Sequence, residues 1–585
     1  MRIKLTHILV FLFLCIQNIF AISPSGTLPV LYIETDNSIE VPPKNESYVN
    51  GIYWIEVPDD CQFPSIGSKE YPLGLSIKGR GNWTWSFFEK KPYKIKLNIK
   101  QPLLGMAVNA HWALLAHADD KAAFLNNHMG FQTSKMLNME WTPSDQPVEL
   151  ILNGDYRGLY FLTENIRADK NRLSIDYTNE PFYNVEDIAE QAWLMEIDNY
   201  DDSPNFSIRD KNNKEIIFTY NQPENPTLNQ INWIRSEMEK ITNILEESDP
   251  ESTKWEDYID AESAAKFFIV HEIMDNQEAY VGSWYIYKHK GEKQKWKFGP
   301  VWDFGYSLLR HNKNFTFRNE IFYSIWIRDL VKFNSFREKV KSVWAQFASE
   351  HTFDDCQNLI ENWVHLISPA HKKTIERWPE YSSENLTDSE IFSMRLAQSI
   401  RWCGEKFGIQ LHNTPEYIPL YIEVLINGQS QVIPLENITQ HLFIAEDINL
   451  PAGCKIRIRS EDERFVNIGL NNWETPEISL DEPLKLNSQG NYIKLSQDYE
   501  NITLIYDHEE CHIIFSEKKW NDLNSIPETE ELKLRISNNI VSSDIAFSVY
   551  SIDGTMIAQN TQEAVLRPGI YIIVQHNKVS KLLLQ

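Results

Sequence analysis

The sequence predicts an α+β protein, with β-rich and helical stretches gathered in blocks. Three observations carry this. Period-two alternation marks the early part of the chain, where Lys94 and Lys96 share one face of a strand and Ile95 and Leu97 share the other. Helical patterns dominate from Leu228 to Phe407, interrupted by one aromatic hairpin. After Asn413-Thr414-Pro415 the texture changes to short alternating strands and turns.

A chain of 585 residues exceeds what one hydrophobic core supports, so several domains are expected. With 42% hydrophobic and 12% aromatic residues, including 18 Trp, it is a packed globular protein. The start reads Met1-Arg2-Ile3-Lys4, then an apolar run from Ile8 to Ile16, then Ala21, the pattern of a secretory signal peptide over residues 1–21. Leu12-Phe13-Leu14 before Cys15 is too bulky for a lipoprotein signal. Nothing later is long and apolar enough to span a bilayer, so the expected location is the periplasm, the cell surface or the medium. Cys61, Cys356, Cys403, Cys454 and Cys511 form an odd, sparse set that argues against a disulfide scaffold, leaving one or two bridges open. The 15 His show no metal-ligand spacing, and structural zinc is not expected. A formal charge of −26 disfavours nucleic acid, whose phosphates need clustered Lys and Arg.

In chain order, Ser23 to Asn98 is β-rich and ends in strands at Leu73–Gly81 and Tyr93–Asn98. Asp119 or Asp120 is placed to cap a helix through Phe124, His128 and Phe131 towards Leu137. Val148–Leu152 and a return strand through Tyr160 to Glu164 flank Asn153-Gly154, a dipeptide that favours a tight I′ turn. Ala192–Asp198 is a further strand and carries Glu196. Helices are expected over Leu228–Glu247, Ala261–Met274, Asn319–Val331, Ser335–Ala348, Asp354–Ile367 and Asp388–Phe407. The resulting domains are a main body over 22–413 and two small β-sandwich domains over 416–518 and 529–585. In the first sandwich, immunoglobulin-like or carbohydrate-binding-like, Trp473 and Tyr492 are the aromatics that would meet a glycan, or else pack in its core.

The chemistry centres on the hairpin. Asp275-Asn276-Gln277-Glu278-Ala279-Tyr280 precedes the strand-like run Ser283–His289. Lys290-Gly291-Glu292-Lys293 makes the turn, and the return arm leads through Trp296 to Trp302-Asp303-Phe304-Gly305. Arms of nearly equal length return Asp303 to the neighbourhood of Glu278. Phosphoryl transfer needs one carboxylate for magnesium on the ATP phosphates and another to orient or deprotonate the attacking hydroxyl. The layout resembles protein kinases, where a carboxylate precedes a small hairpin and a metal-binding Asp-Phe-Gly turn follows it.

Five segments extend the likeness: Gly79-Arg80-Gly81-Asn82 with Trp85; Lys90 to Leu97; Trp112 to Ala116; Val148 to Tyr160 around Asn153-Gly154-Asp155; and Trp302-Asp303-Phe304. In this order they resemble the CotH kinases, a family named for a spore coat protein. That resemblance implies a bilobal atypical protein-kinase-like domain moving the γ-phosphoryl group of ATP to a Ser or Thr of a protein substrate. It implies magnesium on Asp303 with Asn276 as a further contact, Glu278 as proton acceptor, and phosphates on Arg80 and on Lys91, Lys94 or Lys96. Glu164 and Glu196 would pair with that cation or serve the structure. The family usually shows Asn-x-Asp where this chain reads Asn276-Gln277-Glu278, and Trp-Asp-Phe-Asp where it reads Trp302-Asp303-Phe304-Gly305. The extra methylene of Glu moves its carboxylate by about 1 Å, and such a shift can cost about 100-fold in rate. Free ATP is also scarce outside the cytoplasm. A second reading therefore stands beside the first: a weakly active or inactive kinase-like surface protein that binds polysaccharide or protein partners. Finally, Phe547–Gly554, Leu566–Ile573 and Lys581–Leu584 resemble the C-terminal sorting domains of secreted Bacteroidetes proteins.

Overall fold

A computed structural model describes residues 22–585 apart from 119–123, 199–204, 248, 277, 292, 306, 309–324, 380–387, 416–419, 427, 439–441, 461–467, 471–475, 477, 489–490, 508–510, 521–534, 538–539, 552–555, 566–568, 576–577 and 585. The leader at 1–21, the cap at Asp119 or Asp120, and Trp473 lie outside the described residues. The protein is α+β, and its described residues divide into two compact units, one ending at Pro415 and the other beginning beyond it.

The β-rich start of the first unit closes on itself. Strands β1 (Val30–Thr35), β2 (Val49–Glu56), β3 (Leu73–Gly79), β4 (Tyr93–Gln101), β5 (Asn109–Leu115), β6 (Asp145–Leu152) and β7 (Asp155–Glu164) form a barrel in the order β1-β2-β3-β4-β5-β7-β6. Neighbours are antiparallel except at the seam, where β1 runs parallel to β6 from Val30↔Glu149 to Ile33↔Leu152. Alternation decides what faces inward: Leu75 and Ile77, Ile95 and Leu97, Trp112 and Leu114, Leu150 and Leu162 fill the barrel. Lys94 and Lys96 therefore point outward from β4. The β6–β7 turn has Asn153 at φ 51° and Gly154 at φ 78°, the paired left-handed residues of a type I′ turn. Asn153 also accepts the Thr35 N–H at 2.8 Å, tying the turn to β1. Separate hairpins were expected here. Alternation fixes a strand's faces but not its neighbours, so closure between β1 and β6 carries no local signature.

Helix α1 (Trp83–Phe87) lies in the β3–β4 connection, and α2 (Asn126–Met136) follows β5. The expected helix through Phe124 starts two residues later, because Phe124 sits at φ 58°, outside the helical region. A second sheet has the order β12-β11-β8-β10-β9, from β8 (Trp193–Asp198), β9 (Asn205–Arg209), β10 (Glu215–Gln222), β11 (Trp284–Lys288) and β12 (Lys297–Phe298). Helices α3 (Val185–Glu190), α4 (Leu228–Leu245), α5 (Ala261–Ile273), α6 (Ile325–Leu330), α7 (Asn334–Glu350), α8 (Phe353–Arg377) and α9 (Asp388–Phe407) complete the unit. The hairpin β11–β12 pairs Ile286 with Phe298 and Tyr287 with Lys297, and Trp284 packs edge-on to Phe298 at 5.0 Å and near Phe267 of α5 at 5.6 Å. Helix α8 runs ten residues beyond the expected Ile367, through Pro369, because its far end is anchored on the barrel. There Thr374 Oγ1 accepts the Leu159 N–H at 2.7 Å, Arg377 Nε donates to Tyr156 O at 3.1 Å, and Trp378 Nε1 donates to Arg157 O at 2.9 Å.

In the second unit one sheet runs through Gln429–Pro434, Leu420–Ile426 and Lys455–Ser460, and another through Leu442–Leu450, Tyr499–Asp507 and His512–Ser516. They share a core that includes Ile422, Ile456, Leu504 and Phe515. A further sheet contains Ile540–Ser551, Met556–Val565, Gly569–Gln575 and Lys578–Leu584. Tyr492 lies beneath Arg457, 4.4 Å from ring centre to guanidinium, and donates to Glu423 at 3.1 Å. The five Cys among the described residues are free thiols.

The α8 anchor yields a stability expectation. Thr374→Val keeps the shape but strands the buried Leu159 N–H, a loss of about 1–3 kcal/mol. Calorimetry should show a lower unfolding temperature for the transition that includes the barrel; an unchanged transition would mean that α8 does not hold it.

Candidate functional site

The site is built where the β3–β4 connection meets the second sheet and the segment after β12. Arg80 leaves β3 with its N–H on Pro92 O at 3.2 Å. Its guanidinium lies over the Trp302 ring, 5.3 Å from the centroid, a cation–π contact. Burial pushes the Arg80 pKa down, while Asp303, Tyr285 and Glu196 oppose that by stabilising the cation. Lys94 stands on the outer face of β4 in the same field. Burial lowers it to about 8, helped by repulsion from Arg80, Lys78 and Arg167 and opposed by Glu196.

Glu196 on β8 lies directly opposite Tyr285 on β11 and Thr219 on β10. Tyr285 hydrogen-bonds Glu196, and its pKa stands well above the usual phenol range, from burial first and the nearby carboxylate second. Two cations from the barrel side thus lie in the field of the Glu196 carboxylate of the second sheet, and Arg80 also in that of the Tyr285 phenol.

The hairpin brings the backbone of both expected carboxylates to one side chain. Asn276, fully buried, donates from Nδ2 to Asp303 O at 2.9 Å and accepts the Glu278 N–H on Oδ1 at 3.3 Å. The Glu278 and Asp303 side chains are both exposed. Asp303 has φ 60°, a left-handed conformation that costs a non-glycine residue about 1–3 kcal/mol and persists only where the surroundings hold it. The next residue supplies part of that hold: Phe304 N–H donates to Asn127 Oδ1 at 3.1 Å, and the Phe304 ring lies against Gly130, where an added Cβ would come within 2.4 Å of it.

The remaining expected residues separate. Lys91 donates to Trp85 O at 2.7 Å and braces its own connection. Lys96 is exposed on β4 between Ser76 and His111. Glu164 is buried and turned to the Ser144 N–H at 3.0 Å and to Arg172 at 3.9 Å; burial raises its pKa, and its partner is Arg172. Two residues were missed. Tyr285 carried a signal, since alternation on β11 sets it on the face opposite Trp284 and Ile286. Lys90 carried none: it precedes β4, yet its buried ammonium donates to Ala116 O and Leu159 O, and burial brings it to about 7.

A family model described as CotH kinase protein matches residues 77–399, more than half of the chain and all of the residues gathered here. The chain belongs to this family. No curated protein matches it. CotH membership makes the protein kinase-like and suggests use of ATP with a divalent metal. Among the described residues no three His, Cys, Asp or Glu side chains converge on a metal position. Magnesium held with substrate phosphates needs only one or two protein carboxylates. Asp303, exposed beside Arg80, suits that part. Asn276 is occupied on both ends of its amide by the turn it supports.

The electrostatics can be checked directly. The Lys94 amine should titrate near pH 8, and Glu196→Gln, by removing a stabilising anion, should move that titration lower when followed by NMR of labelled lysine. Because the folded value lies below the unfolded 10.5, the folded protein binds fewer protons between these limits, so the Lys94 contribution to stability rises with pH across that window. An upward or absent shift would contradict the pairing.

Proposed function

We propose that residues 22–413 form an exported, bilobal CotH-like atypical protein kinase domain that transfers the γ-phosphoryl group of ATP to a Ser or Thr of a protein substrate. One observation carries this reading: an exposed carboxylate, Asp303, held in a strained turn in the field of Arg80, with Lys94 near that same guanidinium. Arg80 can fork across two phosphate oxygens and Lys94 supplies a point charge. Bound magnesium would neutralise charge on the transferring phosphate. Asp303 would hold that metal, and Glu278 would accept the proton of the attacking hydroxyl. Asn276 acts through the backbone of both, and Glu196 with Tyr285 keeps the cations in place before nucleotide arrives. The signal-like leader supports export, and the C-terminal sheets are proposed as sandwich and sorting domains that contact glycans or the envelope.

A second reading is favoured by particular residues: Glu278 is one methylene longer than the family's usual Asp, and Gly305 stands where a further Asp is usual. The chain would then keep the fold to bind protein or polysaccharide partners.

Incubation with γ-labelled ATP, magnesium and an acceptor protein separates the two. Wild-type protein should transfer label, Asp303→Asn should transfer none, and Glu278→Gln should lose about 100-fold or more. No nucleotide binding at millimolar ATP would reject the kinase reading.

A further inference from the structure

The peptide that joins Asp303 to Phe304 is gripped from two sides. Its carbonyl takes the Asn276 amide at 2.9 Å, and its N–H donates to Asn127 at 3.1 Å. The two asparagines come from separate parts of the chain, Asn276 from the segment after α5 and Asn127 from the first turn of α2, and both are buried. Each faces a histidine through the other end or edge of its amide: Asn127 Nδ2 lies 3.3 Å from His117 Nδ1, and Asn276 Nδ2 lies 3.3 Å from His271 Nδ1. Burial holds both imidazoles neutral, so each can accept on Nδ1, which leaves the asparagine oxygens for backbone N–H groups. The Phe304 ring completes the grip, stacked on His271 at 5.2 Å and seated on the bare face of Gly130.

We infer that Asn127 is a positioning residue for Asp303: it fixes the plane of the 303–304 peptide and with it the direction in which the carboxylate leaves the turn. Asn127 touches neither the carboxylate nor Arg80 and acts only through the peptide. The inference rests on the kinase reading for the identity of the ligand, a magnesium-nucleotide complex. Its consequence is selective. Loss of Asn127 should weaken the part of nucleotide binding that depends on magnesium more than the part made by Arg80 and Lys94.

The test uses the full chain and a non-hydrolysable ATP analogue, titrated calorimetrically with and without magnesium, together with hydrogen exchange at the Phe304 amide. In Asn127→Leu, magnesium-dependent affinity should fall about tenfold, the equivalent of one buried hydrogen bond, with a smaller loss in the absence of metal and faster exchange at Phe304. Asn127→Asp keeps an acceptor for the Phe304 N–H, and His117 can donate to it as the other tautomer, so it should recover part of the loss. Should Asn127→Leu fail to fold, Asn127→Ser, polar but too short to reach, must show the same selective loss. Equal losses with and without magnesium, or unchanged exchange at Phe304, would overturn the inference while leaving the kinase reading intact. Absence of any magnesium-dependent binding in the wild type would overturn the kinase reading and this inference with it.

Discussion

An aspartate in the left-handed region relaxes unless its neighbours forbid it, and the site depends on that prohibition at Asp303. The conformation turns one carboxylate outward at the end of a hairpin whose strands bury Trp284, Ile286, Tyr287, Trp296 and Phe298. What prevents relaxation comes from three directions: α5 and the segment after it, α2, and the hairpin itself. The dense aromatic packing around Trp284, Phe267 and Phe298 is therefore more than core, since it gives the hairpin the rigidity that a strained terminus needs.

Charge arrangement is the second constraint. Arg80 and Lys94 come from the barrel, while Glu196 and Tyr285 come from the second sheet, so the cluster exists only where the two meet. Two partly buried cations side by side repel one another and lose hydration; Glu196 offsets both effects. Under the proposed kinase function, a bound phosphate would replace much of that compensation. The anchoring of α8 on β7 serves the same end by tying the helices to the barrel that carries the cations.

How much of this was legible in the sequence varies residue by residue, for physical reasons. The hairpin and the I′ turn at Asn153-Gly154 were legible because their signals are local. Period-two alternation put Lys94 and Lys96 on one face but could not distinguish them, because only the tertiary position of the second sheet brings Glu196 into the field of Lys94. The same limit hid the Glu164–Arg172 pair and the closure of β1 on β6. Lys90 was invisible because it sits in a connection without periodicity. Pro369 reads as a helix end, yet contacts beyond it at Thr374 and Arg377 hold the helix together.

The most direct test of the central claim is a crystal structure of the protein with a non-hydrolysable ATP analogue and manganese in place of magnesium, using the anomalous signal to locate the metal. A manganese peak is expected on the Asp303 carboxylate with phosphate oxygens against Arg80 and Lys94, and the 303–304 peptide still held between Asn127 and Asn276. A metal bound away from Asp303, or a nucleotide whose phosphates avoid Arg80, would contradict it.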